Sequence, residues 1–223
     1  MNYLLSFLSF ILLFSCQSPN KTSVAQASLT VEPAALTDAD KQQLDTATFA
    51  GGCFWCTEAV FERVRGVRSV VSGYTGGQQK DPTYEQVSAG RTSHAEGIQV
   101  YFNPDEITYE DLVKIFFGTH DPTQLNRQGP DVGKQYRSAV YYHNPQQKAA
   151  VEAHVQELSS SGKYDKPIVT QVEAFEKFYD AEGYHQNYYE NNPNNPYIMS
   201  VAKPKVKKLI KNYPDYLKDN TSS

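Results

Sequence analysis

Apolar and polar positions change spacing along this chain in a way that separates strands from helices. Thr46 to Ala50 reads as a short strand running into Gly51-Gly52, and Phe54 to Val64 then places Cys56, Val60 and Val64 four residues apart, the repeat of a helix face. Gly66 suits the helix exit, and Val67 to Tyr74 predicts a second strand closed by Thr75-Gly76-Gly77. Asp81 is placed to cap a short helical turn through Val87, with Pro82 at its first position. From Glu96 to Phe102 the residues alternate, so Glu96, Ile98, Val100 and Phe102 share one face of a strand. A carboxyl thus falls on an apolar face.

Thr108 and Asp111 approximate a capping box for a helix whose Leu112, Ile115 and Phe116 point inward and which stops at Gly118. A long Gly/Pro/Asn loop, Thr119 to Lys134, feeds a strand from Tyr136 to His143; loops of that length in compact domains are usually functional. Asn144-Pro145 opens a helix carrying Val151, Val155 and Leu158 on one face and ending near Gly162, and Pro167 to Phe175 returns as a strand. The tail is aromatic, then basic. His120, His143 and His154 read as structural, and Lys205 to Lys211 as a solvated helix face or a weak contact with anionic lipid. Strands alternating with helices predict an α/β or α+β domain, helices against one sheet, with no internal repeat.

The ends of the chain change the picture. Tyr3 to Phe14 is uncharged and mostly apolar, the length of a signal peptide and too short to cross a bilayer. Leu13-Phe14-Ser15-Cys16 resembles a bacterial lipoprotein signal, which implies acylation of Cys16 and removal of residues 1–15; no Lys or Arg precedes the run, and Phe14 is bulky for its place. Residues 16–42, rich in Ser, Thr, Ala, Pro and Asn, read as a flexible tether spanning roughly 25–30 Å. Residues 43–223 are left for one catalytic domain. The expectation is an exported, membrane-anchored lipoprotein, periplasmic or at the cell surface, and a monomer. With a net charge of −4 and dispersed cations there is no nucleic-acid footprint.

Three cysteines, less one for lipid, leave Cys53 and Cys56 as the only pair in the domain. No second cysteine pair or tight histidine pair accompanies them, which argues against a structural zinc site, and no metal is expected. A cysteine following a double glycine at a helix start has access to backbone N–H groups and the positive helix end, which favours the thiolate. Cys53 and Cys56 share a face of the first turn, with Cβ atoms roughly 5–6 Å apart. A disulfide would require the turn to tighten. A structural staple is one reading; closing so short a loop removes little unfolded-chain entropy, which favours a redox pair.

Further blocks accompany Gly52-Cys53-Phe54-Trp55: Gly73-Tyr74-Thr75-Gly76-Gly77, Pro82-Thr83-Tyr84, His94-Ala95-Glu96, His120-Asp121-Pro122, Gln128-Gly129-Pro130-Asp131 and Gln135-Tyr136-Arg137-Ser138. In order and spacing they resemble the A-type peptide methionine sulfoxide reductases over roughly residues 49–189. The resemblance implies a ferredoxin-like, two-layer α+β core with long coil segments. It also implies Cys53 as nucleophile, Glu96 as proton donor, Tyr84 and Tyr136 as hydrogen-bond donors to the sulfoxide oxygen, Asp131 in the same pocket, and Phe54 with Trp55 around the methyl group. His185, in His185-Gln186-Asn187-Tyr188-Tyr189, resembles a late block near the site and is a candidate substrate contact, with a packed, solvent-bridged role as the plainer reading.

Each implied role has a physical reason. A sulfoxide oxygen leaves only once protonated, so thiolate attack on sulfur needs an acid still carrying its proton near neutrality, and burial would raise the pKa of Glu96. Alternatively Glu96 is a rim carboxylate at a strand end. The family is selective for the S epimer, with oxidised proteins, peptides and free methionine sulfoxide as substrates. Attack leaves Cys53 a sulfenic acid, and Cys56 is the candidate resolving thiol; many relatives have glycine there and resolve from a C-terminal tail, which here has no cysteine. An external thioredoxin-like thiol reductant is expected, and no bound cofactor. Two other readings stand beside this one: a generic exported thiol–disulfide oxidoreductase, whose tryptophan would precede its first cysteine, and a tyrosine-rich surface binding module.

Overall fold

The computed structural model describes residues 37–41 and 43–219. The apolar N-terminal run, Cys16 and nearly all of the expected tether lie outside the described residues. Within the expected tether, α1 (Asp38–Lys41) is a helical turn that Thr37 begins, its hydroxyl donating to Asp40 at 2.6 Å.

Six strands form one mixed sheet. They are β1 (Asp45–Gly51), β2 (Val67–Thr75), β3 (Ala95–Phe102), β6 (Ser138–Tyr142), β7 (Gln171–Ala174) and β8 (Phe178–Asp180), in the order β7-β6-β1-β3-β2-β8. Only β6 and β7 run parallel, and the helix joining them, α5 (Pro145–Ser160), supplies the crossover such a pair requires. Asn144 caps α5, its side chain accepting the Gln147 N–H at 2.8 Å, with Pro145 in the first position.

Alternation along the strands decides what faces the core. Ala47 and Phe49 of β1, Ile98, Val100 and Phe102 of β3, and Val140 of β6 point to one face and are buried there. That face is covered by α2 (Phe54–Phe61), α4 (Tyr109–Thr119) and α7 (Lys203–Asn212). Phe49 stacks on Phe61 and Phe116 at 5.3 and 4.9 Å, and each such buried aromatic contributes roughly 1.5–3 kcal/mol of transfer free energy. Seven of the eight residues of α2 are buried, so this helix runs through the core instead of floating one stripe on it. The opposite face is thinner, holding Ala50, Ala95, Ala139 and Tyr141.

Several expected boundaries move. The third helix, α3 (Tyr84–Ser88), begins at Thr83 and not at Asp81: the Gln86 side chain accepts the Thr83 N–H at 3.2 Å, and Asp81 takes a left-handed φ of 46° before it. Tyr136 lies in a 3-10 turn, Lys134–Tyr136, ahead of β6 and not inside that strand. The long loop folds into a ribbon, β4 (Arg127–Gln128) against β5 (Asp131–Val132), turning at Gly129 with φ of 59°. The expected strand from Pro167 shrinks to β7, and β8, absent from the sequence reading, covers the far edge. After α6 (Tyr188–Asn191) the chain enters a π-helical segment, Ile198–Ala202, that leads straight into α7.

Candidate active site

Gly51-Gly52 carries the chain from β1 into α2, and neither position has room for a side chain. A Cβ on Gly51 would meet the Phe116 ring at 2.8 Å; one on Gly52, whose φ is 95°, would meet the Gln128 Cβ at 2.7 Å. The turn delivers Cys53 to the N-cap of α2, 6% exposed, with Cys56 one turn on and fully buried; both are free thiols.

The helix start is claimed by a carboxylate. Glu96, on the core face of β3 and 2% exposed, accepts the Phe54 N–H at Oε2 across 3.1 Å. Burial, with the charges of Asp131 and Cys56, pushes the Glu96 pKa up to about 8 against the pull of that bond, so the acid holds its proton at neutrality. A lowered Cys53 pKa was the sequence expectation, and the geometry reverses it. The cap makes no side-chain bond to the helix, and burial, Cys56 and the Glu96 charge all push the Cys53 thiol up. Cys56 moves the other way, down to about 7, because the Cys53 thiol donates to it and Lys205 and Tyr197 add to the effect against burial.

Two phenols face this pair. Tyr84 is pinned by its N–H donating to Glu182 Oε1 at 3.0 Å, and its phenol pKa is raised to about 12 by burial and by the charges of Glu96 and Cys53. Tyr136 is raised by burial and the same two neighbours. Asp131, from β5, accepts the Tyr197 hydroxyl at 2.6 Å, and that hydroxyl lies 3.8 Å from the Cys56 sulfur.

The aromatic residues divide. Trp55 is partly exposed, stacks on Tyr188 at 3.9 Å and donates its indole N–H to His185 Nδ1 at 3.1 Å. Phe54 is 0% exposed and packs against Tyr74 and His185, so its ring backs the pocket while Trp55 lines it. His185 is 1% exposed and packed against Phe54 and Trp55; burial lowers its pKa, and the neutral ring orients Trp55. His120 is structural as expected, bonded through Nδ1 to the Phe116 carbonyl and through Nε2 to Ser138, and burial lowers its pKa to about 4.

Tyr197, Glu182 and Lys205 escaped the sequence reading. Tyr197 lies 141 residues from Cys56 with no motif to announce it. Glu182 accepts both the Tyr74 hydroxyl and the Tyr84 N–H, and only its place just upstream of His185 hinted at this. Lys205 was grouped with a solvated face; the neighbouring Lys207, Lys208 and Lys211 are exposed, but its own ammonium is buried. Among the described residues no group of three or more metal-ligating side chains gathers.

The sequence that builds this arrangement has known relatives. The profile of the peptide methionine sulfoxide reductases fits residues 45–217. The chain belongs to that family. It is 55% identical over 161 residues to a peptide methionine sulfoxide reductase from Natronomonas pharaonis, covering 72% of this chain and 90% of that one. A Deinococcus radiodurans relative of the same description is 51% identical over 174 residues, covering 78% and 84%. Among solved structures, reduced Mxr1 from Saccharomyces cerevisiae matches with TM-score 0.63 at 36% identity, covering 69% of this chain and 88% of that one. Methionine sulfoxide reductase A of Corynebacterium diphtheriae matches with TM-score 0.62 at 35% identity, covering 68% and 76%. This family member is a peptide-methionine (S)-S-oxide reductase with an α+β fold. Family membership sets aside the thioredoxin-like and binding-module readings.

Proposed function

We propose that this reductase works through Cys53 as nucleophile and Glu96 as proton donor, with Cys56 as the resolving thiol. The observation that carries the assignment is the Glu96 carboxyl, buried on the core face of β3 with Oε2 on the N–H of the residue that follows Cys53. Glu96 passes its proton to the sulfoxide oxygen and takes up the proton of Cys53, whose sulfur bonds to the substrate sulfur. The substrate S–O bond then breaks, its hydroxyl bonds to the Cys53 sulfur as the bond between Cys53 and the substrate sulfur breaks, methionine leaves, and Cys53 is left a sulfenic acid. Tyr84 and Tyr136 donate hydrogen bonds to the oxygen as charge gathers there. Asp131 holds Tyr197 beside Cys56. Trp55, held by His185, takes the methyl side of the substrate, which makes the pocket handed and suits it to the S epimer.

Cys56 condenses with the sulfenic acid, and a thioredoxin-like reductant reopens the disulfide; support comes from Cys56 standing one helical turn from Cys53, buried and free. Oxidised proteins and peptides, with free methionine sulfoxide, are the proposed substrates. An exported, lipid-anchored location is supported by the apolar run before Cys16. The ferredoxin-like description of the core is supported by the antiparallel order β6-β1-β3-β2 with α2 and α4 as crossovers.

The assay offers each epimer of a methionine sulfoxide model compound with dithiothreitol to wild type, Cys53→Ser and Cys56→Ser. Expected is turnover of the S form alone, none in Cys53→Ser, and a single turnover in Cys56→Ser when a thioredoxin replaces dithiothreitol. Undiminished turnover by Cys53→Ser would overturn the mechanism.

A further inference from the structure

Among the described residues, Lys205 carries the one ammonium that is buried without a hydrogen-bond partner. Placing such a charge out of water is unfavourable unless a counter-charge stands near. No carboxylate stands within ion-pair distance of it among the described residues. The Nζ sits against the catalytic turn, 3.4 Å from where a Cβ on Gly52 would stand. Val206 and Leu209 hold this face of α7 in the core, so the side chain is directed by packing and not by solvent.

From beside this turn its charge acts on Cys56, at the start of the same helix. The Tyr197 hydroxyl, ahead of the π-helical segment, lies 3.8 Å from that sulfur, and the other groups acting on it are Cys53 on its own helix, Asp131 of β5, Glu96 of β3 and Lys205 of α7. Lys205 is the only cation of the set. His120, also near the ammonium, is neutral and cannot serve as its partner.

We propose that Lys205 is a positioning residue of the resolving step, the buried counter-charge that keeps Cys56 an anion beside the turn carrying Cys53. The proposal rests on Cys56 being the resolving thiol. The Cys56 thiolate attacks the sulfur of the Cys53 sulfenic acid, the S–S bond forms and the S–O bond breaks. The departing hydroxide takes up the proton that Cys56 gave up earlier and leaves as water. Lys205 exchanges nothing; it favours the attacking form and points it at its target.

The test uses the full chain with excess methionine sulfoxide model compound and no reductant, comparing wild type, Lys205→Met, Lys205→Gln and Lys205→Arg. The burst of one methionine per chain reports folding and the first step, and it should persist in all four. Closure of the disulfide, followed by loss of free thiols and by dimedone trapping of the sulfenic acid, should slow about tenfold in the two neutral variants and recover with Arg. In a Cys53→Ser background, the thiolate absorbance of Cys56 should titrate about one pH unit higher with Met or Gln at position 205 than with Lys. Closure at the wild-type rate in both neutral variants, or an unmoved titration, overturns the role of Lys205. A slowed closure that Arg fails to restore does the same, since it marks a packing effect. A Cys56→Ser chain leaving no trappable sulfenic acid overturns the assignment of Cys56 itself, and the Lys205 proposal with it.

Discussion

The Phe54 main-chain N–H donates to Glu96 Oε2 across 3.1 Å, so a carboxyl from β3 occupies the helix start that the Cys53 sulfur leaves free. Acid and nucleophile are thereby joined through consecutive residues of one turn. Glu96→Gln keeps an acceptor for that N–H but loses the transferable proton. The methionine burst should fall about 10²-fold or more while the fold persists, as removal of a general acid does. Since Glu96 titrates at about 8, the wild-type burst should also decline roughly tenfold per pH unit above that value. A burst rate level from pH 7 to 10 would sink the assignment.

Glu58 is a second buried carboxyl, two residues beyond Cys56 on α2, whose side chain accepts the Asn187 N–H at 3.1 Å. Burial and the nearby Glu62 push its pKa up to about 8 from an ordinary 4.5. The folded state then binds the proton more tightly than the unfolded one, so its contribution to stability is full below pH 4.5 and is lost as pH rises through 8. Glu58→Gln cannot titrate, and its stability relative to wild type should improve across that window by on the order of 1–3 kcal/mol. Urea unfolding at pH 5 and pH 9 reads the difference; equal gaps at both pH values would contradict it.

His185 orients Trp55 by accepting its indole N–H at 3.1 Å, so the residue acts on substrate through the indole. His185→Ala should lower kcat/KM about 5–30-fold, mainly through KM, equivalent to losing one hydrogen bond and its packing. Steady-state kinetics of His185→Gln, which keeps an acceptor, should show partial recovery. A loss confined to kcat would point to a role in the chemical step.

Tyr197 and Asp131 form a half-buried pair at 2.6 Å that joins the β4–β5 ribbon to the C-terminal helices. Tyr197→Phe should cost about 1–3 kcal/mol in urea unfolding because Asp131 loses its partner. With Asp131→Asn added, the double variant should cost less than the two single losses together. Strict additivity would mean that the bond carries no coupling.

Much of this molecule is legible in its sequence. The alternation from Glu96 to Phe102 placed Glu96 on the core face because side-chain direction in a strand is set by parity alone. The capping residues Thr108 and Asn144 marked two helix starts because those caps bond residues three apart. Where a feature depended on distant partners, parity and capping had nothing to report. β8 is three residues long and exists because Tyr74 and Thr75 offer it an edge. Thr83 displaced Asp81 as a cap, a contest among neighbours that spacing does not rank.

The charge states are the sharpest case. Local sequence put Cys53 at a helix start, where a sulfur anion is favoured, yet the backbone donor there went to a carboxyl 42 residues away. Sequence by itself determined the family, the strand and helix order, and the glycine turn that carries the thiol, because each rests on nearest-neighbour backbone geometry or contiguous motif. Tertiary structure alone decided which group keeps its proton, that Tyr197 stands between Asp131 and Cys56, and that the ammonium of Lys205 is inside. Those depend on burial and on charges brought together from separate strands and helices, and desolvation has no counterpart along the chain.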